Sequence, residues 1–221
     1  MARAFKRRKG GYVAGLSAEE RAILSWLMDQ VLELLAPPGA PEPDSFEQML
    51  ADAGLAVGAP SGDIDGSGEV AAAAADTPAA DNSATADLDD PGRDPALDRL
   101  LPDAHRDDPL MAAEFRRLVG PGLRETKAAN LSAAIAALEP AQGAKLELDE
   151  EQARVFAIAL TDVRLVVGER LGLRDDEDAE RLEVQAARGE MDEERAWLLA
   201  VYDFLTWLQE SLTSAMLQGL D

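Results

Sequence analysis

The chain has 221 residues, of which 47% are hydrophobic and only 5% aromatic. This length fits one ordinary domain, or one domain with an additional disordered segment, and the low aromatic content predicts a core built mostly from Leu, Val and Ala. The formal net charge is −22 and the isoelectric point is about 4.3. Such a surface repels nucleic acid and anionic membranes unless the basic residues are segregated.

The chain contains no cysteine, which excludes disulfides, thiolate metal sites, cysteine nucleophiles and any thiol-based redox switch. The basic N-terminus begins like a signal peptide, but no long apolar stretch or small-residue cleavage site follows it. No uninterrupted apolar run approaches the roughly 18–20 residues that a membrane span requires. We therefore expect a cytoplasmic protein that does not contact a membrane.

Residues 1–10 are interpreted as a flexible basic arm. Between positions 3 and 9 the arm carries basic side chains and no acidic ones: Arg3, Lys6, Arg7, Arg8 and Lys9. With Phe5 and Tyr12 nearby, these five side chains are candidates for contact with nucleic-acid phosphates. The alternative is a solvated tail that promotes solubility.

Residues 11–55 are predicted to form the N-terminal part of a helical domain. A short strand begins at Tyr12. The run Ser17-Ala18-Glu19-Glu20 is a capping box, in which the Ser17 hydroxyl and the Glu20 carboxylate each bind a backbone N–H. Apolar residues then recur at helical spacing up to a stop near Ala36. A shorter helix is predicted over 44–53.

Residues 56–94 are predicted to be a disordered acidic insert, because Gly, Ala, Ser, Pro and Asp dominate and no apolar period persists. Residues 37–98 contain fourteen acidic side chains and one basic one. The stretch 63–70 matches the first half of an EF-hand calcium loop. Since the twelfth position is Ala74 instead of a bidentate Glu, we interpret this stretch as acidic linker and expect no metal site.

Residues 95–221 are predicted to be the main helical domain. A helix begins at Pro109 and runs to about Val119, where Gly120-Pro121-Gly122 breaks it before a second helix over 123–138. The segment 145–148 alternates like a strand. It is a suitable partner for the Tyr12 segment in a two-stranded ribbon.

Two long apolar helices complete the predicted fold. Asp149 caps a helix whose buried stripe consists of Phe156, Leu160, Val163, Val167 and Leu171. The last helix, over 192–218, is apolar around most of its circumference, which is typical of a helix at the centre of a bundle. The expected fold class is all-α: a bundle of five to six helices with a short two-stranded ribbon and a disordered acidic insert.

The helix–Gly-Pro-Gly–helix segment is also compatible with a helix-turn-helix. Its basic residues, Arg116, Arg117, Arg124 and Lys127, are the second set of candidate nucleic-acid-binding residues. Residues 106–130 carry five basic and four acidic side chains, which is a weak electrostatic footprint for DNA. An ordinary helical hairpin is the favoured interpretation.

A catalytic site is not predicted. The single histidine, His105, lies in a polar loop before a helix, where an exposed or capping role is favoured. No nucleophile elbow, phosphate-binding loop or dinucleotide-binding glycine pattern is present. We therefore expect a non-enzymatic protein without a cofactor, and an uncharacterised hydrolase is the least favoured alternative.

Asp162 is predicted to be a structural residue. At helical spacing it lies between Ile158 and Val166, on the edge of an apolar face, where a charge requires a partner. We expect an ion pair that joins two helices, with Arg116 as the partner and Arg99 or Arg117 as alternatives. A regulatory or ligand contact is the second interpretation.

Three stretches carry a resemblance to a known family: residues 99–118, which begin Arg99-Leu100-Leu101-Pro102-Asp103, residues 160–172 and residues 202–212. With the basic N-terminus and the capped first helix, they resemble an actinobacterial family long catalogued as a domain of unknown function and more recently named for AosR, an oxidative-stress-responsive transcriptional regulator. The resemblance implies a cytoplasmic protein that influences transcription of stress and sulfur-metabolism genes, with a sigma factor or other transcription machinery as its partner. The family's redox response depends on a cysteine pair, which this chain lacks.

The resulting expectation is a non-enzymatic, transcription-associated stress regulator that acts through protein contacts and contacts DNA through its basic arm. The alternative is a protein–protein adaptor or scaffold that does not bind DNA. The sequence does not specify the oligomeric state, the DNA operator or the signal.

Overall fold

The computed structural model describes residues 2–36, 94–102, 108–139 and 144–218. These residues form three strands and six helices. In chain order they are β1 (Arg3–Arg8), β2 (Gly11–Gly15), α1 (Ala18–Leu35), α2 (Pro95–Leu100), α3 (Pro109–Leu138), β3 (Lys145–Leu148), α4 (Glu150–Leu171), α5 (Asp176–Arg188) and α6 (Glu193–Leu217). The predicted helical bundle is confirmed, and its sheet has three strands instead of two.

The sheet is antiparallel in the order β1-β2-β3. The predicted pairing of the Tyr12 segment with residues 145–148 is confirmed, since Tyr12 lies opposite Leu148 and Ala14 lies opposite Leu146. All four of these side chains are buried. The sheet therefore has one face in the core and one face in solvent, as period-two alternation requires.

The prediction of a flexible arm over residues 1–10 is wrong. Residues 3–8 form β1, because Phe5 gives this basic segment one large apolar side chain to bury. Phe5 packs edge to face against Phe156, with ring centroids 6.2 Å apart, and its backbone N–H donates to the Ser211 Oγ at 3.1 Å. The strand is thereby attached to both α4 and α6.

A two-residue turn at Lys9-Gly10 joins β1 to β2, since Arg8 lies opposite Gly11. Both glycines have positive φ, 97° at Gly10 and 153° at Gly11, which favours glycine over residues with a Cβ. A Cβ at Gly11 would also collide with the Leu148 carbonyl oxygen. The Gly10-Gly11 pair thus permits both the turn and the close approach of β3.

α4 is the central helix of the bundle. Its predicted stripe, Phe156, Leu160, Val163, Val167 and Leu171, is entirely buried. Helices α1, α2, α3 and α6 and the strands β2 and β3 all contact α4. The helix begins with a capping box from Asp149 and ends at Gly172 in the left-handed conformation. Local capping signals in the sequence therefore set both ends of the helix that the core buries.

The predicted break at Gly120-Pro121-Gly122 is wrong, because α3 is one helix of 30 residues with Pro121 inside it. Neither adjacent glycine has positive φ, and the fixed φ of proline matches the helical value. Just beyond the proline, the Arg124 Nη1 donates to the carbonyl oxygens of Leu35 and Ala36, at 3.0 and 3.1 Å. This contact with the end of α1 holds the helix in place past Pro121.

α6 is partly central and partly exposed. Leu205, Leu208 and Leu212 are fully buried, but Trp197 and Trp207 are exposed. The prediction of a helix surrounded by other helices is therefore correct only for its buried side. The first two turns of α6 present apolar surface to solvent.

The acidic insert falls almost entirely outside the described residues, as do the helix predicted over 44–53 and the calcium-like stretch 63–70. Asp94, the last residue of the predicted insert, is described and belongs to the folded part, because it is the N-cap of α2. Within the described ranges, no helix combines the length and apolarity needed to cross a membrane.

Candidate functional site: an apolar groove and a basic sheet face

Helices α1, α4 and α6 enclose a groove of about 340 Å³. Its floor is apolar and consists of buried side chains, Leu27 and Val31 from α1 and Val163 and Val167 from α4. Leu34, Val166 and Leu198 form the half-buried walls. We call this feature, together with the two tryptophans at its mouth, the tryptophan groove.

Trp26 of α1 and Trp197 of α6 meet at the mouth of the groove. Their rings contact edge to face, with centroids 6.1 Å apart and an interplanar angle of 66°, an arrangement that aromatic quadrupoles favour. Trp26 is 51% exposed and Trp197 is 42% exposed. The two largest apolar side chains of this region therefore remain available to a partner.

Glu33 lines the groove together with the polar residues Gln30 and Arg170, and further carboxylates lie beside it on α1 and α6. On α1, Gln30 donates to the Glu33 Oε2 at 3.0 Å, and the exposed Asp29 lies within one helical turn of both Trp26 and Glu33. On α6, Glu193 and Glu194 lie one turn before Trp197 and are exposed. Residues three and four apart share a helix face, so all four carboxylates flank the tryptophans.

The basic residues at the groove are occupied by contacts within the chain. Arg170 lines the groove and forms a two-pronged ion pair with Asp94, in which its Nη1 donates to the Asp94 Oδ1 at 3.0 Å and its Nη2 to Oδ2. The Arg170 guanidinium lowers the pKa of the Asp94 carboxyl below its usual value. Arg195 donates to the Leu171 carbonyl oxygen at 3.3 Å.

The solvent side of the sheet is basic. Arg3, Lys6 and Arg8 lie opposite Gly15, Val13 and Gly11, positions that alternate with the buried Tyr12 and Ala14. Lys145 lies opposite Gly15 on the same side and pairs with Glu147. We call Arg3, Lys6, Arg8 and Lys145 the basic face.

The two other candidates of the arm do not belong to this face. Arg7 lies opposite Tyr12 and contacts Glu150 across 3.7 Å, whereas Lys9 occupies the turn between β1 and β2. Both side chains are exposed. The structure thus brings three of the five predicted residues, Arg3, Lys6 and Arg8, to one surface.

The second set of candidate DNA-binding residues lies on one continuous helix, so the helix-turn-helix interpretation is wrong. Arg124 contacts the end of α1, and Lys127 is only 16% exposed and bound to Asp162. Arg117 is exposed and pairs with Glu114, Nη2 to Oε1 at 2.7 Å, and the two groups shift each other's pKa in opposite directions, raising that of Arg117 and lowering that of Glu114. The Arg116 side chain lies outside the described part.

Asp162 is buried and paired, as predicted, but its partner is Lys127. The Lys127 Nζ lies 2.6 Å from the Asp162 Oδ1, and Asp162 is 2% exposed. The predicted partner Arg116 is eleven residues earlier on α3, about 16 Å along the helix axis, so it is on a different level of the bundle. The ion pair joins α3 to α4 in the interior.

Arg99, an alternative partner considered for Asp162, instead joins α2 to α4. Its Nε donates to the Glu169 Oε2 at 2.9 Å and its Nη2 to the Leu173 carbonyl oxygen at 2.9 Å. The Glu169 side chain is 9% exposed, and the Arg99 guanidinium, assisted by Arg174, lowers the pKa of the Glu169 carboxyl. Glu169 and Asp94 together hold α2 against α4.

No group of three metal-ligating side chains converges within the described ranges. His105 and the calcium-like stretch lie outside them, so the structure does not test either. The tryptophan groove was missed because its walls come from three helices distant in the sequence. One signal in the sequence could have indicated the groove. Trp26 lies outside the apolar stripe of α1, so its large aromatic side chain was expected at the surface and not in the core.

The fold and the groove define a helical protein with a small antiparallel sheet and an exposed apolar cleft. The chain belongs to the family described as Domain of unknown function (DUF2017), which matches residues 2–216. No curated protein and no solved structure matches the chain.

Proposed function

We propose that this protein is a non-enzymatic cytoplasmic regulator that acts through protein contacts, and that the tryptophan groove is its docking site. The observation that carries the proposal is the pair Trp26 and Trp197, both about half exposed at the mouth of an apolar groove. Tryptophan is enriched among the residues that dominate the binding energy of protein interfaces.

The exposure of these side chains has a measurable cost to the isolated protein. Apolar area left in water forgoes roughly 25 cal/mol per Å², and contiguous exposed apolar patches mark interaction surfaces in soluble proteins. An apolar centre with a charged rim is also the usual anatomy of a protein interface. The floor of Val31, Val163 and Val167 and the carboxylate rim fit this description.

The finer assignment, to an AosR-type regulator of transcription, rests on the resemblance carried by residues 99–118, 160–172 and 202–212. It implies a sigma factor or another component of the transcription machinery as the partner. Because the chain has no cysteine, the input cannot be a thiol switch of its own. Regulation by the availability of the partner is compatible with the groove.

Contact with DNA is a second candidate function, and the basic face favours it. Arg3, Lys6 and Arg8 follow one strand on the solvent face of the sheet, where Glu147 is the acidic residue opposite Val13. Such a cluster can neutralise backbone phosphates. An adaptor that uses only the groove and never binds DNA is the alternative.

Differential affinity capture tests the proposed function. The full chain, the double variant Trp26→Ala/Trp197→Ala and the control Trp207→Ala would be immobilised and exposed to lysate of the native host. Trp207 is the appropriate control because it is also an exposed tryptophan of α6, stacked on Phe204 and outside the groove.

We expect transcription proteins that bind the wild type and the control equally and do not bind the double variant. Capture that is identical on all three chains would contradict docking at the groove. If the proteins captured through the groove include no transcription protein, the assignment to transcription is wrong. The adaptor function would then be the one supported. A parallel titration with duplex DNA at several salt concentrations distinguishes a DNA-binding regulator from a pure adaptor.

A further inference from the structure

The dimensions of the tryptophan groove correspond to a helix. Along α1 the lining residues run from Trp26 to Leu34, a span of nine residues or about 12 Å at the α-helical rise. A partner helix presents apolar side chains at positions i, i+4 and i+7 over about two turns, or roughly 11 Å. The groove therefore has the length for three such anchors.

The charge beside the groove indicates which charge a bound helix should carry on either side of its apolar face. Glu33 lines the groove, and Asp29, Glu193 and Glu194 are exposed three or four residues from Trp26 or Trp197. The hydrogen bond from the neutral amide of Gln30 leaves the charge of Glu33 unchanged. Of the nearby cations, Arg170 is paired with Asp94, whereas Arg195 keeps its charge because its partner is a neutral backbone carbonyl, so one positive charge offsets part of the four negative ones. The local field is negative, and basic groups beside an apolar helix face complement it.

An anionic occupant would encounter repulsion from the same carboxylates. This excludes nucleic acid and anionic lipid surfaces as the favoured ligand of the groove, since both require a basic surface. The formal net charge of −22 for the whole chain acts in the same direction. It would accelerate the approach of a basic partner and retard that of an acidic one.

From this combination of length, apolar floor and acidic rim, we infer that the groove binds an amphipathic helix of a protein partner whose apolar face is flanked by Lys and Arg. The inference rests on the proposed docking function and narrows it to one class of segment. Anchors from the partner lie on the apolar floor against Trp26 and Trp197, and its basic flanks lie against Glu33 on one side and Glu193 on the other.

A selection from a displayed library of helical peptides tests the inference without knowledge of the natural partner. The library would be randomised both at the apolar i, i+4 and i+7 positions and at the flanking positions. Selection on the full chain would be followed by removal of every peptide that also binds the folded variant Trp26→Ala/Trp197→Ala. Circular dichroism and urea unfolding would verify that this variant is folded.

We expect the remaining peptides to be enriched in Lys and Arg over Asp and Glu at the flanks. A synthetic peptide from this set should bind at least about tenfold more tightly at 0.15 M salt than the same apolar face with Glu flanks, with the difference shrinking as salt screens it. A set with neutral or acidic flanks overturns the inference and leaves the docking function intact. A selection without any groove-dependent peptide overturns both.

A second variant pair keeps the test valid if loss of the tryptophans destabilises the fold. Glu33→Gln/Glu193→Gln removes two rim charges without removing apolar surface, and it should reduce the preference for basic flanks severalfold. The matched control is Glu151→Gln/Glu210→Gln, two exposed glutamates on α4 and α6 that lie twelve residues from the nearest groove-lining residue of their own helix, whereas Glu33 lines the groove and Glu193 lies four residues from Trp197. If both variants lost the preference for basic flanks equally, the preference would come from long-range attraction between the acidic chain and the basic peptide. That result would contradict specific pairing at the rim.

If sedimentation instead shows a dimer of the chain that Trp26→Ala/Trp197→Ala abolishes, the occupant is a second copy and the inference is wrong.

Discussion

The tryptophan groove and the basic face differ in how the chain builds them. The basic face comes from one hairpin and the strand beside it, so most of its charged residues are adjacent in the sequence. The groove comes from α1, α4 and α6, three helices that are separated in the sequence by other elements. Contiguous surfaces are visible in a sequence as composition, whereas assembled surfaces appear only when packing is known.

The two surfaces also differ in the chemistry they offer. The basic face is an open, flat arrangement of cations that can bind phosphates with little shape selectivity. The groove is concave and apolar, with Glu33 in its lining and further carboxylates beside it, so the proposed ligand must match it in both shape and charge. This contrast predicts that each surface binds its own class of ligand and that each can be disabled without loss of the other.

The largest expected effect is on the shared scaffold. Lys127→Ala leaves the buried Asp162 carboxylate without its cation, and the loss of one partner from a buried pair costs about 3–5 kcal/mol. Urea unfolding should show a large fall in the midpoint, with both surfaces disrupted together. Lys127→Met/Asp162→Leu removes both charges and should recover most of the stability. An unchanged midpoint in Lys127→Ala would contradict the burial of this pair.

The next effect separates the groove from the basic face. Trp26→Ala/Trp197→Ala should weaken binding of a groove-selected peptide by about 2 kcal/mol or more, the range of interface hot spots. Any affinity for duplex DNA should stay unchanged. Isothermal titration with the peptide and fluorescence anisotropy with DNA measure the two quantities, and an equal loss of both would contradict the separation.

The reciprocal change disables the basic face. Arg3→Ala/Lys6→Ala/Arg8→Ala should lower affinity for duplex DNA and flatten its salt dependence, by about 0.9 in the log–log slope for each phosphate that the chain no longer neutralises. These side chains are exposed, so the fold and peptide binding should be maintained. Unchanged DNA binding at every salt concentration would exclude the basic face as a nucleic-acid surface.

The smallest effect concerns pH and again distinguishes the two regions. The pKa values of Glu169 and Asp94 are lowered in the folded chain, by Arg99 and by Arg170 respectively. Their contribution to stability is therefore complete above the ordinary carboxyl range near pH 4–4.5 and is lost as the pH falls through the lower folded values. We expect α2 and the end of α4 to lose hydrogen-exchange protection on acidification before β1 and β2 do.

The variant Glu169→Gln is the control for the pH effect, because the amide keeps the shape of the side chain but does not titrate. It should lower protection of α2 already at neutral pH and remove much of the further loss that acidification causes in the wild type. If α2 and the sheet lost hydrogen-exchange protection at the same pH, with or without the substitution, these carboxylates would not determine which region opens first on acidification.

Local patterns in the sequence predicted the ends and faces of several elements. The Ser17 capping box forms as expected, with the Ser17 N–H donating to the Glu20 Oε2 at 2.8 Å. The stripe of α4 is buried, and residues 145–148 pair with β2. Each of these features depends on spacing over a few residues, which a sequence displays directly.

The features that were missed depend on contacts between distant residues. β1 is held in place because Phe5 packs against Phe156. α3 continues through Pro121, where Arg124 forms a hydrogen bond with the end of α1. The need of Asp162 for a partner was predictable from its position on an apolar face. The identity of that partner, Lys127, depends on the register between α3 and α4, which no local pattern specifies.

The most direct test of the account uses one amphipathic helical peptide with basic flanks, selected on the wild-type chain without removal of peptides that bind the double variant. Its affinity is measured for three forms of the chain: wild type, Trp26→Ala/Trp197→Ala and Trp207→Ala. Isothermal titration should show at least about a thirtyfold loss for the double variant, equivalent to about 2 kcal/mol, and no change for Trp207→Ala. Equal affinities for all three would mean that the groove is not the docking site, and an equal loss in the control would mean that any exposed tryptophan of α6 has the same effect.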